Sequence, residues 1–143
     1  MPLARRTLLQ SLAALLLARP GLAATAPTRV PFMALAIAGT PYHRYREVAA
    51  TLAVGDRLVL RREPENPHDP HAVAIETEAG AKLGYVPRRA APEVAARLDR
   101  GEPVAAAITG LLPTPGPGGR FAIPDGLVRT WCEPGEPVVT LYA

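Results

Sequence analysis

The chain has 143 residues, of which 48% are hydrophobic and 20% charged, so it holds one domain at most. Its single cysteine, Cys132, excludes an internal disulfide and any CxxC or four-cysteine zinc site, and its thiol reads as buried packing or an intermolecular link. The formal charge of +3 comes from 16 basic and 13 acidic residues, but Arg5, Arg6 and Arg19 fall in an N-terminal segment that reads as removable. Without those three, 13 basic residues match 13 acidic ones, so the high pI does not argue for a nucleic-acid partner and any electrostatic footprint must be local.

Residues 1–26 have a charged start, about eleven mostly apolar residues, a break at Arg19-Pro20-Gly21 and small residues after it. That is the layout of an export signal; a membrane anchor needs roughly 20 apolar residues. Arg5-Arg6-Thr7-Leu8-Leu9-Gln10 is similar to the twin-arginine export pattern, except that Gln10 stands where Lys is usual. Cleavage is expected near residues 23–26, leaving an exported protein of the periplasm or secreted fraction with no membrane span. A proline-punctuated linker covers residues 27–33.

The apolar run Phe32–Ala38 predicts a first strand ended by Gly39, and Thr40–Thr51 a loop or broken turn. Gly55-Asp56 launches a second strand over Arg57–Arg61. A long, stiff loop, Glu63-Pro-Glu-Asn-Pro-His-Asp-Pro-His71, then leads to a third strand over Ala72–Glu76. Glu78-Ala79-Gly80 reverses the chain into a fourth strand over Lys82–Val86. From Ala91 the period becomes helical: Pro92 suits a first turn, Glu93 sits near the positive end, Arg97 and Arg100 near the other, and Gly101 stops it. Val94, Ala95 and Leu98 share the face that docks on the sheet. Strand character resumes over Pro103–Leu112, "PTPGPGG" (113–119) is a loop, and Phe121–Ile123, Leu127–Trp131 and Val138–Tyr142 supply closing strands. The sum is mostly β: a small OB-like β-barrel with one short helix at about residues 90–100, preceded by the signal peptide.

"GTPY" (39–42), "LVLRREPENPHDPHAVAI" (58–75) and "GYVPRRAAPEVAARLDRG" (84–101) together resemble the HIRAN domain family. The resemblance covers residues 34–124, with 125–143 left as C-terminal strands that close the barrel. It implies an OB-like barrel whose helicase-linked members bind the 3′ end of single-stranded DNA, without catalysis by this module. Residue by residue, it implies that Tyr42 and Phe121 stack on bases, and that Asn66 and Asp69 lie in the loop whose Asp contacts the terminal nucleotide and its hydroxyl. It implies too that His68 replaces a tyrosine, that Tyr85 stands where one member has His, and that Arg88 lies near phosphate. Pro41 replaces a backbone-contacting arginine, a departure that weakens the transfer of DNA binding.

The residues support that chemistry without the family. Single strands are held by bases stacked on aromatics, worth roughly 1–3 kcal/mol each, with cations along the backbone. Tyr42, Tyr45, Tyr85 and Phe121 supply rings, and Arg44, Arg46, Arg61, Arg62, Arg88 and Arg89 supply charge. A carboxylate repels a phosphodiester but accepts a charge-assisted hydrogen bond from a free terminal hydroxyl, so Asp69 could select an end over an interior. The nucleic-acid candidates are therefore Tyr42, Arg44, Asn66, His68, Asp69, Tyr85, Arg88 and Phe121.

The same residues carry plainer readings. Asn66-Pro67 and Asp69-Pro70 are turn formers in their own right. Tyr85 alternates with Leu83 and suits a core, Phe121 beside Ile123 could close the barrel, and Arg61-Arg62 and Arg88-Arg89 could be solvated edges. Export favours a different partner for the same domain, a glycan or protein of the envelope. His68, Asp69 and His71, with His43 as a further imidazole, suit zinc or another divalent ion and hence a metal-dependent phosphoesterase acting on an acid anhydride or phosphodiester. No G-x-S-x-G elbow or G-x-x-x-x-G-K-[ST] loop occurs, and the binding reading requires no cofactor.

Overall fold

A computed structural model of the chain describes residues 28–112, 127–128 and 135–143. The segment read as an export signal, Phe121 and Cys132 lie outside the described residues. The elements run β1 (Pro31–Ala36), a 3-10 turn (Thr40–Tyr42), α1 (Tyr45–Val48), a second 3-10 turn (Ala49–Thr51), β2 (Arg57–Arg62), β3 (Val73–Thr77) and β4 (Lys82–Tyr85). They continue through α2 (Ala91–Asp99), β5 (Ala105–Leu111), β6 (Leu127–Val128) and β7 (Pro137–Tyr142).

Among the described residues these strands form one seven-stranded sheet in the order β4-β3-β2-β5-β7-β1-β6. Neighbours are antiparallel except β1 and β6, which pair in parallel. The sheet curls back on itself. Just past the end of β1, Ala38 bridges Tyr85 of β4, with Ala38 N–H donating to the Tyr85 carbonyl at 2.8 Å and the reverse bond at 2.9 Å. β1 lies near one edge of the sheet and β4 forms the other, so this bridge is the seam of an OB-like barrel.

Period-two patterning makes the core. On β2, Leu58 is buried while Arg57, Val59 and Arg61 face outward. Ile108 of β5 and Val139 and Leu141 of β7 point inward to meet Leu35, Ile37, Val73, Ile75 and Leu83. Each such side chain contributes about 1.5–3 kcal/mol on full burial. Helix α2 spans the expected residues and buries Ala91, Val94 and Ala95 against this cluster. Pro92 occupies its first turn, and Gly101, at φ 72°, lets the chain leave it.

Two expectations change. The Thr40–Thr51 stretch is not a plain loop but contains α1 flanked by two 3-10 turns. The arginine pair of β2 is absorbed by structure: Arg61 donates to the buried Glu76 at 2.7 Å, and Arg62 pairs with Asp99 of α2 and donates to the Ala72 carbonyl.

Candidate nucleic-acid interface

The loop between β2 and β3 is built from two successive side-chain-closed turns. Asn66 Oδ1 accepts from His68 N–H at 3.0 Å, and Asp69 Oδ1 accepts from His71 N–H at 2.8 Å. Each acceptor precedes a proline, whose fixed φ stiffens the turn. Glu63 N–H bonds the Ala72 carbonyl at 2.9 Å and closes the base of the loop. Asp69 therefore spends one oxygen on architecture. Its other, Oδ2, lies 3.8 Å from Arg88 Nε, while Arg88 also donates to the His68 carbonyl at 2.8 Å.

The facing wall is the segment that follows the seam. Gly39 adopts φ 76°, a left-handed turn that starts the 3-10 turn carrying Tyr42. Thr40 anchors this turn by donating from Oγ1 to the buried carboxylate of Glu136. Tyr42 is left 87% exposed, an unusual position for a large ring that the core does not use. The His43 ring meets the Tyr85 ring edge-on, with centroids 5.2 Å apart and planes at 68°.

A β-bulge decides which way Tyr85 faces. β3 and β4 pair as Glu76 with Lys82 but Ile75 with Gly84, so Leu83 is an extra residue on β4. Leu83 still points into the core, and the bulge places Lys82 and Tyr85 together on the outer side. Gly84 is required at this bend, because a Cβ there would lie 2.4 Å from the Ala38 carbonyl oxygen across the seam.

Beneath the cleft these residues form one polar network. Tyr85 hydroxyl donates to Glu63 Oε2 at 2.8 Å and accepts from Lys82 Nζ at 3.2 Å and Asn66 Nδ2 at 3.3 Å. Lys82 and Glu63 form an ion pair, and Asn66 Nδ2 donates to Glu63 as well. Burial opposes the charge on Glu63, but hydrogen bonds from Lys82, Asn66 and Tyr85 outweigh it and hold the carboxyl below its ordinary 4.5. Burial opposes the charge on Lys82 too, and the bonds to Glu63 and Tyr85 outweigh it, raising the ammonium above 10.5. Burial and the neighbouring Lys82 charge lower His43, against a weaker pull from Glu63.

These directions fix the sign of a pH effect. A carboxyl lowered on folding stabilises the fold above pH 4.5, and that contribution is lost as pH falls through the lowered value. The raised Lys82 contributes fully below pH 10.5 and loses its contribution as pH rises through the raised value. Glu63→Gln should therefore cost about 1–3 kcal/mol at neutral pH, since it strands part of a half-buried network. It should also flatten the acid limb of the melting-temperature profile. An unchanged acid limb would remove Glu63 from this role.

Loop, seam and network enclose a cleft of about 470 Å³. Tyr42, Asn66, His68, Asp69, Tyr85 and Arg88 all line it, six of the eight residues picked out from the sequence. Arg44 does not: it lines a separate groove and pairs with Glu47 at 2.8 Å. Phe121 is the eighth and lies outside the described residues. The Asn66 amide is committed to the loop and to the Glu63–Tyr85 network, which suits a positioning role.

The expected metal group does not assemble. Among the described residues no set of three or more His, Cys, Asp or Glu side chains could hold an ion, and Asp69 Oδ1 is turned back to the His71 amide by the Pro70 turn. His43 enters the site instead as part of the cleft wall, and Glu63 and Lys82 were not anticipated at all. Their only signal in the sequence is polarity at the end of β2 and the start of β4.

The HIRAN domain profile matches residues 33–109, and the chain belongs to the HIRAN domain family, a family associated with DNA binding. A crystal structure of a protein from Lactobacillus plantarum is similar at 30% identity and a TM-score of 0.55, over 58% of this chain and 82% of that one. The crystal structure of the HIRAN domain of human HLTF shares the fold at 18% identity and a TM-score of 0.50, over 80% of this chain and 78% of that one. No curated protein sequence matches the chain significantly. Among the described residues no helix is long and apolar enough to cross a membrane.

Proposed function

We propose that the cleft is a non-catalytic binding site for the exposed end of a single strand of nucleic acid, with a 3′-hydroxyl DNA terminus as its preferred ligand. The observation that carries this reading is the division of labour at Asp69: Oδ1 closes its own turn while Oδ2 lies near Arg88 in the wall that also holds the exposed Tyr42. A terminal hydroxyl donates to that oxygen in a charge-assisted bond. An interior phosphodiester has no proton to donate and is repelled by it. Tyr42 offers a ring face to the last base, and Arg88, with its side chain 75% exposed, is within reach of the preceding phosphate.

The hydrolase alternative lacks a ligand set among the described residues. We propose further that the domain acts after export, with residues 1–26 as the cleaved signal. Anisotropy titration of the signal-less protein at low salt, with linear and circularised oligo-dT of one length, tests the binding reading. The linear strand should bind at least about tenfold more tightly, as the loss of a charge-assisted bond implies. Equal affinities would refute end recognition. Binding to neither would refute the nucleic-acid reading and turn attention to glycan or protein partners of the envelope.

A further inference from the structure

We propose that His43 is the phosphate-reading residue of the cleft, and that capture of a strand end takes up a proton at its ring. The inference rests on the nucleic-acid reading above and adds a residue and a linkage to it.

His43 stands in the wall of the cleft beside Tyr85, where an incoming strand would meet its ring. Its ring is held edge-on by Tyr85, and its other side approaches Gly39, where even a built Cβ would stand 3.8 Å from Cδ2. Nothing bulky separates it from the cleft, which it lines between Tyr42 and Tyr85. The charged and titratable groups around it can be named. From β4 come Lys82, whose Nζ lies 5.0 Å from the Tyr85 ring centre, and Tyr85 itself. From the β2–β3 loop comes Glu63, already committed to Lys82 and Tyr85. Its chain neighbour Arg44 pairs with Glu47, and across the cleft stand His68, Asp69 and Arg88.

In the free protein, partial burial and the nearby Lys82 charge lower the ring's affinity for a proton, against a weaker pull from Glu63. An incoming phosphodiester brings a full negative charge into the same cleft. It reverses the balance of charge at His43, favours the protonated ring and gains a charge-assisted N–H···O bond. The fixed cation Arg88 gains from the phosphate at any pH; the histidine gains only by taking a proton. Binding and protonation are thereby linked.

The test uses oligo-dT with hydroxyls at both ends, because thymine and phosphodiesters do not titrate between pH 5.5 and 8. Affinity should rise by about tenfold from pH 7.5 to pH 5.5 at constant ionic strength, the scale of one proton taken up within the window of a histidine. His43→Gln should bind with a flat pH profile, and His71→Gln, an exposed imidazole that does not line the cleft, should keep the wild-type slope. Calorimetry of the wild-type protein in buffers of different ionisation enthalpy gives an independent count, expected to approach one proton at pH 6.5–7. NMR of the His43 imidazole should show its titration moved upward by the oligonucleotide.

A wild-type protein that binds equally at both pH values overturns this inference and leaves end recognition standing. So does a slope that survives His43→Gln or vanishes with His71→Gln. No binding at either pH overturns both readings together.

Discussion

Gly84→Ala is expected to destabilise the domain by about 3 kcal/mol and to lower its melting temperature by about 10–15 °C. The added Cβ would lie 2.4 Å from the Ala38 carbonyl oxygen and 2.6 Å from Ile37 Cγ2. Neither neighbour is a flexible side-chain tip: one is backbone, the other a branch of a fully buried isoleucine. Relief requires the seam to open, which strains the two hydrogen bonds between Ala38 and Tyr85, each worth about 1 kcal/mol. The same movement withdraws Tyr85 from His43 and widens the cleft, so oligonucleotide binding should fall with stability. Thermal melts followed by circular dichroism provide the check, and a melting temperature within about 2 °C of wild type would show that the seam does not depend on this close approach.

Tyr42→Ala should have the opposite profile, with binding lost and the fold untouched. At 87% exposure the ring contributes little to the core, and its turn is held by Thr40 and by backbone bonds instead. One stacked base is worth roughly 1–3 kcal/mol, so affinity for single strands should drop about 5- to 150-fold while the melting temperature moves little. Tyr42→Phe should keep most of the affinity, because the face of the ring, not its hydroxyl, is what a base meets. Equal binding by wild type and Tyr42→Ala would show that the exposed ring is not the stacking platform.

How much of this could be read from the residues depends on the range of the interactions involved. The β2–β3 loop was legible because its rules are local: Asn66 and Asp69 each close a turn with an amide two residues on, and the prolines hold it. Helix α2 was legible from its period and its bounding Pro92 and Gly101. Tyr85 was ambiguous for a specific reason. Simple alternation puts it on the same face as Leu83, in the core, and only the bulge at Leu83–Gly84 turns it outward. Period-two reasoning has no means of seeing an inserted residue.

The missed members of the site owe their places to distant contacts. Glu63 and Lys82 meet across 19 residues, and Thr40 reaches Glu136 across 96. Arg61 and Arg62 are engaged by Glu76 and Asp99, partners 15 and 37 residues away that no local pattern announces. Helix α1 has four residues and no side-chain cap, too little pattern to distinguish from a loop.

The central claim is that Asp69 Oδ2, the oxygen that does not close the turn, reads a terminal hydroxyl. The most direct measurement compares 3′-hydroxyl and 3′-phosphate oligo-dT on the wild-type protein and on Asp69→Asn, which keeps the acceptor for the His71 amide but removes the charge. The wild type should prefer the hydroxyl by roughly 10- to 150-fold, the worth of a hydrogen bond to a charged group, and Asp69→Asn should reduce that preference to about twofold or less. A preference that survives the substitution unchanged, or a wild type indifferent to the two ends, would contradict the claim.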